Sequence, residues 1–311
     1  MDDLVERFLK GERRALARIL SRVENQTPDG RQYLRELYSH TGRAQTVGIT
    51  GGAGSGKSTL TGGLASEYRR RGQTVGIIAV DPSSPFTQGA ILGDRIRMQD
   101  LALDPGVFVR SMASRGALGG LAPSLDDCVA VMDAFGFDVV LIETVGAGQD
   151  EVEIAGSALT TILVNNPGTG DDIQALKAWI IEIADVLVVN KADHPGADVL
   201  VSQLQAVLSL APAGSRRPKI VKTTAIKSEG LAELADAVAE HRAWLESSGT
   251  LVRQRAEDVR HQVLSIARAI LLDRIREGTS EDELATLVAE VVARRMDPHT
   301  AADRLAGAVA R

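Results

Sequence analysis

Cysteine is almost absent: Cys128 stands alone among 311 residues. A lone thiol excludes an intrachain disulfide and a cysteine-rich metal site. The histidines His40, His194, His241, His261 and His299 are scattered, so no histidine-rich metal tract is present either. A concentrated basic surface is missing as well. The formal net charge is -6, and no long basic run interrupts the chain. This argues against nucleic acid as the main partner, because phosphate neutralisation needs clustered positive charge. No segment reaches the ~20 apolar residues that span a bilayer. The acidic start, Met1-Asp2-Asp3, does not read as a secretory signal. The expectation is a cytoplasmic protein with no membrane segment.

What is present suits an ordinary globular core. The chain is 44% hydrophobic and 24% charged, enough to fold without disulfide or metal staples. Residues 3–24 place Leu4, Phe8, Leu9, Leu16, Ile19, Leu20 and Val23 at helical spacing. Thr27-Pro28-Asp29-Gly30 breaks that pattern, and a short helix follows through Tyr33, Leu34 and Leu37. Residues 1–43 therefore read as an N-terminal helical arm or cover.

Residues 44–248 change to alternating strand and helix. Apolar runs at Val47–Thr50, Val75–Val80, Val139–Ile142, Thr161–Val164, Val186–Val189 and Ile220–Thr223 predict strands. Their Val and Ile content predicts an α/β fold: a mostly parallel sheet buried by helices on both faces. Residues 249–311 become wholly helical. One apolar stripe runs Val259, Val263, Ile266, Ala267, Ile270 and Leu271; another runs Leu284, Leu287, Val288, Val291 and Val292. Ser280 and Glu283 have capping-box spacing between them. The pattern predicts a helical hairpin, used either for packing on the core or for dimerisation.

Gly51-Gly52-Ala53-Gly54-Ser55-Gly56-Lys57-Ser58 fits G-x-x-x-x-G-K-[ST], between a strand and the helical stretch Thr59–Arg71. This is the P-loop pattern. Small residues let successive backbone N–H groups turn inward on phosphates, and the helix start adds a positive dipole end. Lys57 is placed to reach the β- and γ-phosphates, and the Ser58 hydroxyl to ligate magnesium.

Asn190-Lys191-Ala192-Asp193 ends a predicted strand and fits N-K-x-D. The Asp193 carboxylate can accept from both the ring N–H and the exocyclic amine of guanine. Adenine would leave it unpaired, which makes such a site selective. Asn190 would brace the loop, and the Lys191 stem would lie along the base. Thr224-Ala225-Ile226-Lys227 resembles a further base-contacting loop, with a backbone N–H near Ala225 meeting the guanine carbonyl. GTP and GDP are the expected ligands, with Mg2+.

Asp81 and Glu143 each follow a predicted strand, where open α/β sheets bind ligands. Glu143-Thr144-Val145-Gly146 resembles a D-x-x-G switch with Glu for Asp, and the Gly146 N–H would sense the γ-phosphate. The longer Glu would reach the metal through water. Asp94 is a further metal candidate. Taken singly, such acids more often cap helices or meet solvent. No glutamine directly follows the switch, so slow hydrolysis in isolation is expected, with completion of the site in trans worth on the order of 10³–10⁵ in rate.

Gly51–Thr59, Asp81–Pro85, Ile91–Met98, Glu143–Gln149 and Pro167–Lys177 together closely resemble the MeaB/ArgK family of P-loop GTPases. The likeness also includes His40–Arg43 and Met296–Ala302, nearly the whole chain. It implies a homodimeric G-protein chaperone of a cobalamin-dependent acyl-CoA mutase, typically methylmalonyl-CoA mutase. GTP would gate adenosylcobalamin loading and removal of damaged cofactor. The resemblance places Asp81, Asp94 and Glu143 at magnesium and switch positions, and Asp171 and Lys177 in a third switch moved by the mutase. Other readings are a kinase tied to an amino-acid-binding transport system, and a metal-insertion GTPase.

Overall fold

The computed structural model describes residues 2–82, 101, 103–114, 122–144, 157–168, 183–210 and 216–309. They divide into two compact units, Met1–Arg253 and Gln254–Arg311.

The first unit is built on seven parallel strands: β1 Gln45–Thr50, β2 Val75–Pro82, β3 Val107–Ser114, β4 Val139–Thr144, β5 Thr160–Asn165, β6 Val186–Val189 and β7 Lys219–Lys222. Their order is β3-β2-β4-β1-β5-β6-β7, every pairing parallel. The chain starts a central strand and winds outward both ways, the doubly wound arrangement of P-loop NTPases.

Both faces of the sheet are buried, and side-chain alternation divides them. Ile78, Val80, Val140 and Ile142 face one core. Val75, Ile77, Val139 and Leu141 face the other. Two periods of the same apolar run thus serve two layers, so the run reads as continuous rather than alternating. The second face is covered by helices α4 (Lys57–Arg70) and α7 (Leu231–Ser247). Helix α6 (Ala197–Ser209) buries Leu204, Val207 and Leu208 with Leu163, Leu187 and Val189.

The first face carries α5 (Ala122–Phe135) and three N-terminal helices, α1 (Asp3–Leu9), α2 (Arg13–Glu24) and α3 (Pro28–Leu37). Phe8 and Phe135 meet edge to face, with ring centroids 5.1 Å apart. The single helix expected over 3–24 is two helices. Gly11 adopts φ +82 between them, a conformation that ends the first, and Arg7 forks onto the Glu12 carboxylate across the break at 2.6 and 2.7 Å. The strand Val107–Ser114 was not among those expected. It lies at the sheet edge, where Arg110 pairs with Glu24 of α2. A charged residue in mid-strand hides such a strand from a search for apolar runs.

In the second unit, α8 (Thr250–Gly278, beginning just inside the first unit), α9 (Glu281–Val292) and α10 (Pro298–Val309) follow in order. The Ser280 hydroxyl accepts from the Glu283 N–H at 3.2 Å, capping α9. Helix α10 adds to the hairpin expected from the sequence. Among the described residues, no helix is long and apolar enough to cross a membrane.

Candidate functional site

The carboxyl ends of β1, β4, β5 and β6 meet at the loop after β1. That loop is shaped by glycines whose conformation no other residue adopts easily. Gly51 has φ +140, and a Cβ there would lie 2.2 Å from the Val164 carbonyl oxygen of β5. Gly56 has φ +93, and its Cβ would strike the Asn190 amide at 2.4 Å. At Gly52 and Gly54 a Cβ would meet nothing within 4 Å. The Ser55 N–H donates to the Gly52 carbonyl at 3.2 Å, closing a tight turn over Ala53 and Gly54.

Helix α4 begins at Lys57, so its first turn, whose N–H groups have no intrahelical acceptor, starts directly at this loop. Lys57 is buried, and its ammonium donates to the Gly51 and Gly52 carbonyls at 2.6 and 3.0 Å. The hydroxyls of Thr50 and Ser55 are buried without a hydrogen-bond partner among the described residues. A helix start, a buried ammonium and two buried hydroxyls fit an anionic phosphate chain.

Ser58 lies beside Lys57, and its Oγ donates to Glu143 Oε1 at 2.5 Å. Glu143 is 4% exposed, so its carboxylate is held inside the site. Strand pairing sets Glu143 of β4 opposite Ile49 of β1 and Ala79 of β2. Asp81 comes two residues later on β2, opposite Ala113 of β3. Three of the expected metal residues thus come from adjacent elements at one sheet end. A hydroxyl and a carboxylate are the hard oxygen donors that Mg2+ selects, so Ser58 and Glu143 fit it. Asp94, Gly146, Asp171 and Lys177 lie outside the described residues.

The base corner is stitched to the phosphate loop. Asn190 is buried and joins three segments. Its Nδ2 donates to the Ser55 carbonyl at 2.9 Å, while its Oδ1 accepts from Thr223 Oγ1 at 3.1 Å and from the Ala225 N–H at 3.2 Å. The Ala225 N–H, at the place where a backbone N–H is expected to meet guanine, donates here to Asn190. Lys191, at φ +55, spans to the Gly54 carbonyl at 3.0 Å, beside the expected base position. Thr224 is buried behind the loop, and Ile226 is 84% exposed. Asp193 accepts at 2.9 Å from Nζ of Lys227, the last residue of the expected Thr224–Lys227 base loop, a contact no local pattern signals.

Comparison with known proteins agrees with this geometry. Residues 16–280 match the family described as methylmalonyl Co-A mutase-associated GTPase MeaB. A Pyrococcus abyssi protein is 46% identical over 309 residues, covering 98% of this chain and 95% of that one. The GTPase ArgK of Escherichia coli is 34% identical over 262 residues, 81% of this chain and 79% of that one. The mitochondrial methylmalonic aciduria type A homolog of Caenorhabditis elegans is 32% identical over 277 residues, 83% and 69% of the two chains. A crystal structure of LAO/AO transport system kinase superposes with a TM-score of 0.74 at 24% identity, covering 99% of this chain and 97% of that one. At that identity the likeness concerns the fold.

Proposed function

The chain belongs to the MeaB family of methylmalonyl-CoA mutase-associated GTPases, and on that premise we propose that it is a GTP-hydrolysing chaperone of a cobalamin-dependent acyl-CoA mutase. The observation that carries this reading is the joining of a phosphate loop and an N-K-x-D loop through one buried side chain, Asn190, within a family match that runs from α2 through α8.

In this reading the amides from Gly52 to Thr59 cradle the phosphates, and Lys57 exchanges its two carbonyl partners for β- and γ-phosphate oxygens. Ser58 and Glu143, with Asp81 and Asp94, would hold Mg2+, which would supply charge neutralisation for the β- and γ-phosphates. Asp193 reads guanine, Lys191 flanks the base, and Asn190 keeps the two loops in register. The Gly146 N–H reports the γ-phosphate, and Asp171 and Lys177 form the segment that the mutase repositions to raise turnover. GTP and GDP states bind the mutase differently, and this difference gates adenosylcobalamin loading.

The test is GTP turnover by the full chain with and without each cobalamin-dependent acyl-CoA mutase of the source organism. One mutase should accelerate hydrolysis severalfold or more and co-elute with the chain. No acceleration by any of them, together with no complex on size exclusion, would remove the chaperone role and leave a free-standing GTPase.

A further inference from the structure

The base corner holds an ion pair between two loops that the motifs treat separately. Lys227 ends the short 3-10 turn Ala225–Lys227. That turn is pinned on both sides: Thr224 and Glu229 form an antiparallel bridge, Ser228 takes φ +59, and Gly230 takes φ +77. A Cβ at Gly230 would lie 2.1 Å from the Lys222 carbonyl oxygen, so only glycine fits this close approach. The Asp193 loop is pinned in turn, by Ala192 N–H on the Thr223 carbonyl at 3.0 Å and His194 N–H on the Lys191 carbonyl at 2.9 Å. Between two fixed backbones, Lys227 Nζ reaches Asp193 Oδ2 at 2.9 Å.

We propose that Lys227 is a positioning residue for guanine recognition. It holds the Asp193 carboxylate in the orientation that accepts both guanine donors, and it stays in place while the base is bound. A carboxylate offers about four acceptor positions. One ammonium therefore leaves room for the ring N–H and the exocyclic amine. Asp193 is about one-third exposed (34% of its side chain). Without a third group its χ angles would sample several orientations, and a two-point contact suffers most from that freedom. The ammonium also holds the Asp193 carboxyl below the usual carboxylate range, and the carboxylate raises Lys227 in return.

The inference rests on Asp193 as the base reader, and the experiment separates the two. Equilibrium binding of GTP, ITP and XTP is measured for the full-length wild type, Lys227→Ala, Lys227→Arg and Asp193→Asn. ITP lacks the exocyclic amine and makes only the single contact. Lys227→Ala should weaken GTP about two- to fivefold, as loss of an exposed ion pair does, and ITP less, so the GTP/ITP preference contracts. Lys227→Arg should restore it.

Equal losses for GTP and ITP would overturn the proposal, because Lys227 would then act on the base or phosphates directly. Tighter GTP binding in Lys227→Ala would overturn it too, marking the lysine as a competitor for the carboxylate. Asp193→Asn should shift preference toward XTP. If it does while Lys227→Ala leaves the GTP/ITP ratio intact, the positioning role fails alone. If Asp193→Asn leaves GTP preference unchanged, the base-reader assignment fails and the positioning role with it.

Discussion

At the amino ends of the strands, opposite the phosphate loop, His241 is almost fully buried between two partners. Its Nδ1 lies 2.9 Å from Thr160 Oγ1, and its Nε2 lies 3.2 Å from Asp185 Oδ1. Thr160 donating and Asp185 accepting fixes the neutral tautomer with the proton on Nε2. Trp244 stacks on the ring, and Arg216 lies over Trp244 while donating to the Asp185 carbonyl at 3.1 Å. Burial, with help from Arg216, pushes His241 down to about 4, and burial pushes Asp185 up to about 6. For His241 the folded value lies below the unfolded one. The unfolded chain therefore takes up the proton first, and stability is lost as pH falls from about 6.5 toward 4. Asp185 acts oppositely: its folded value is above the unfolded one, so acidification below pH 6 relieves its burial. Removing the aspartate charge leaves the histidine penalty unopposed, and it also takes away the anion that would stabilise an imidazolium. Asp185→Asn should therefore lose about 1 kcal/mol more than wild type between pH 7 and pH 5. Urea unfolding at the two pH values checks this; an equal or smaller loss would refute it.

At the scale of elements, the join between the N-terminal helices and the sheet depends on one carboxylate. Asp133 of α5 accepts from the backbone N–H groups of Gly42, Arg43 and Ala44, the last at 2.8 Å. These are the residues that lead from α3 into β1, and Asp133 is 8% exposed. Asp133→Ala removes the acceptor of one buried N–H, that of Ala44, and a partner of two N–H groups on exposed residues, Gly42 and Arg43, at a cost of about 1–3 kcal/mol. Asp133→Asn keeps one acceptor and should cost about half as much. Denaturant unfolding would show the order, and a loss below about 0.5 kcal/mol for the alanine variant would show that water satisfies these groups. None of this is legible from sequence, because residues 42–44 and 133 are linked only by the fold. The phosphate loop and the N-K-x-D loop were legible, since each is a local pattern fixed by the backbone conformation and donors it must supply. The central strands were legible because burial on both faces makes them continuous Val and Ile runs. The edge strand Val107–Ser114 was not, because Arg110 and its α2 partner replace apolar contact there. The break at Gly11 escaped for another reason: apolar spacing on either side is compatible with one continuous helix. Asp171 and Lys177 rest on family resemblance, and Asp94 and Gly146 on their place in switch-like loops as well; all four lie outside the described residues.

At the scale of the molecule, the second unit raises the question of what covers it. Leu287 and Ala301 are the buried apolar residues among its described positions. Val263 and Leu264 are 59% and 60% exposed, and Leu271, Val288 and Val292 are 52%, 53% and 77% exposed. A single core in a segment below about 70–80 residues contributes only a few kcal/mol even when well packed, and this one buries far less. Exposed apolar arrays of this kind mark association surfaces. We propose a second copy of the chain as the occupant, as the MeaB resemblance implies. Sedimentation of the wild type at micromolar concentration should give a dimer. Val263→Glu combined with Leu271→Glu should give a monomer, because each buried charge would cost several kcal/mol at the interface. The nucleotide residues lie within Met1–Arg253, so GTP binding by that monomer should remain within about twofold of wild type, as expected for a change that touches no binding contact. A wild type that sediments as a monomer across this range would refute the dimer, and a variant that remains dimeric would place the interface away from α8.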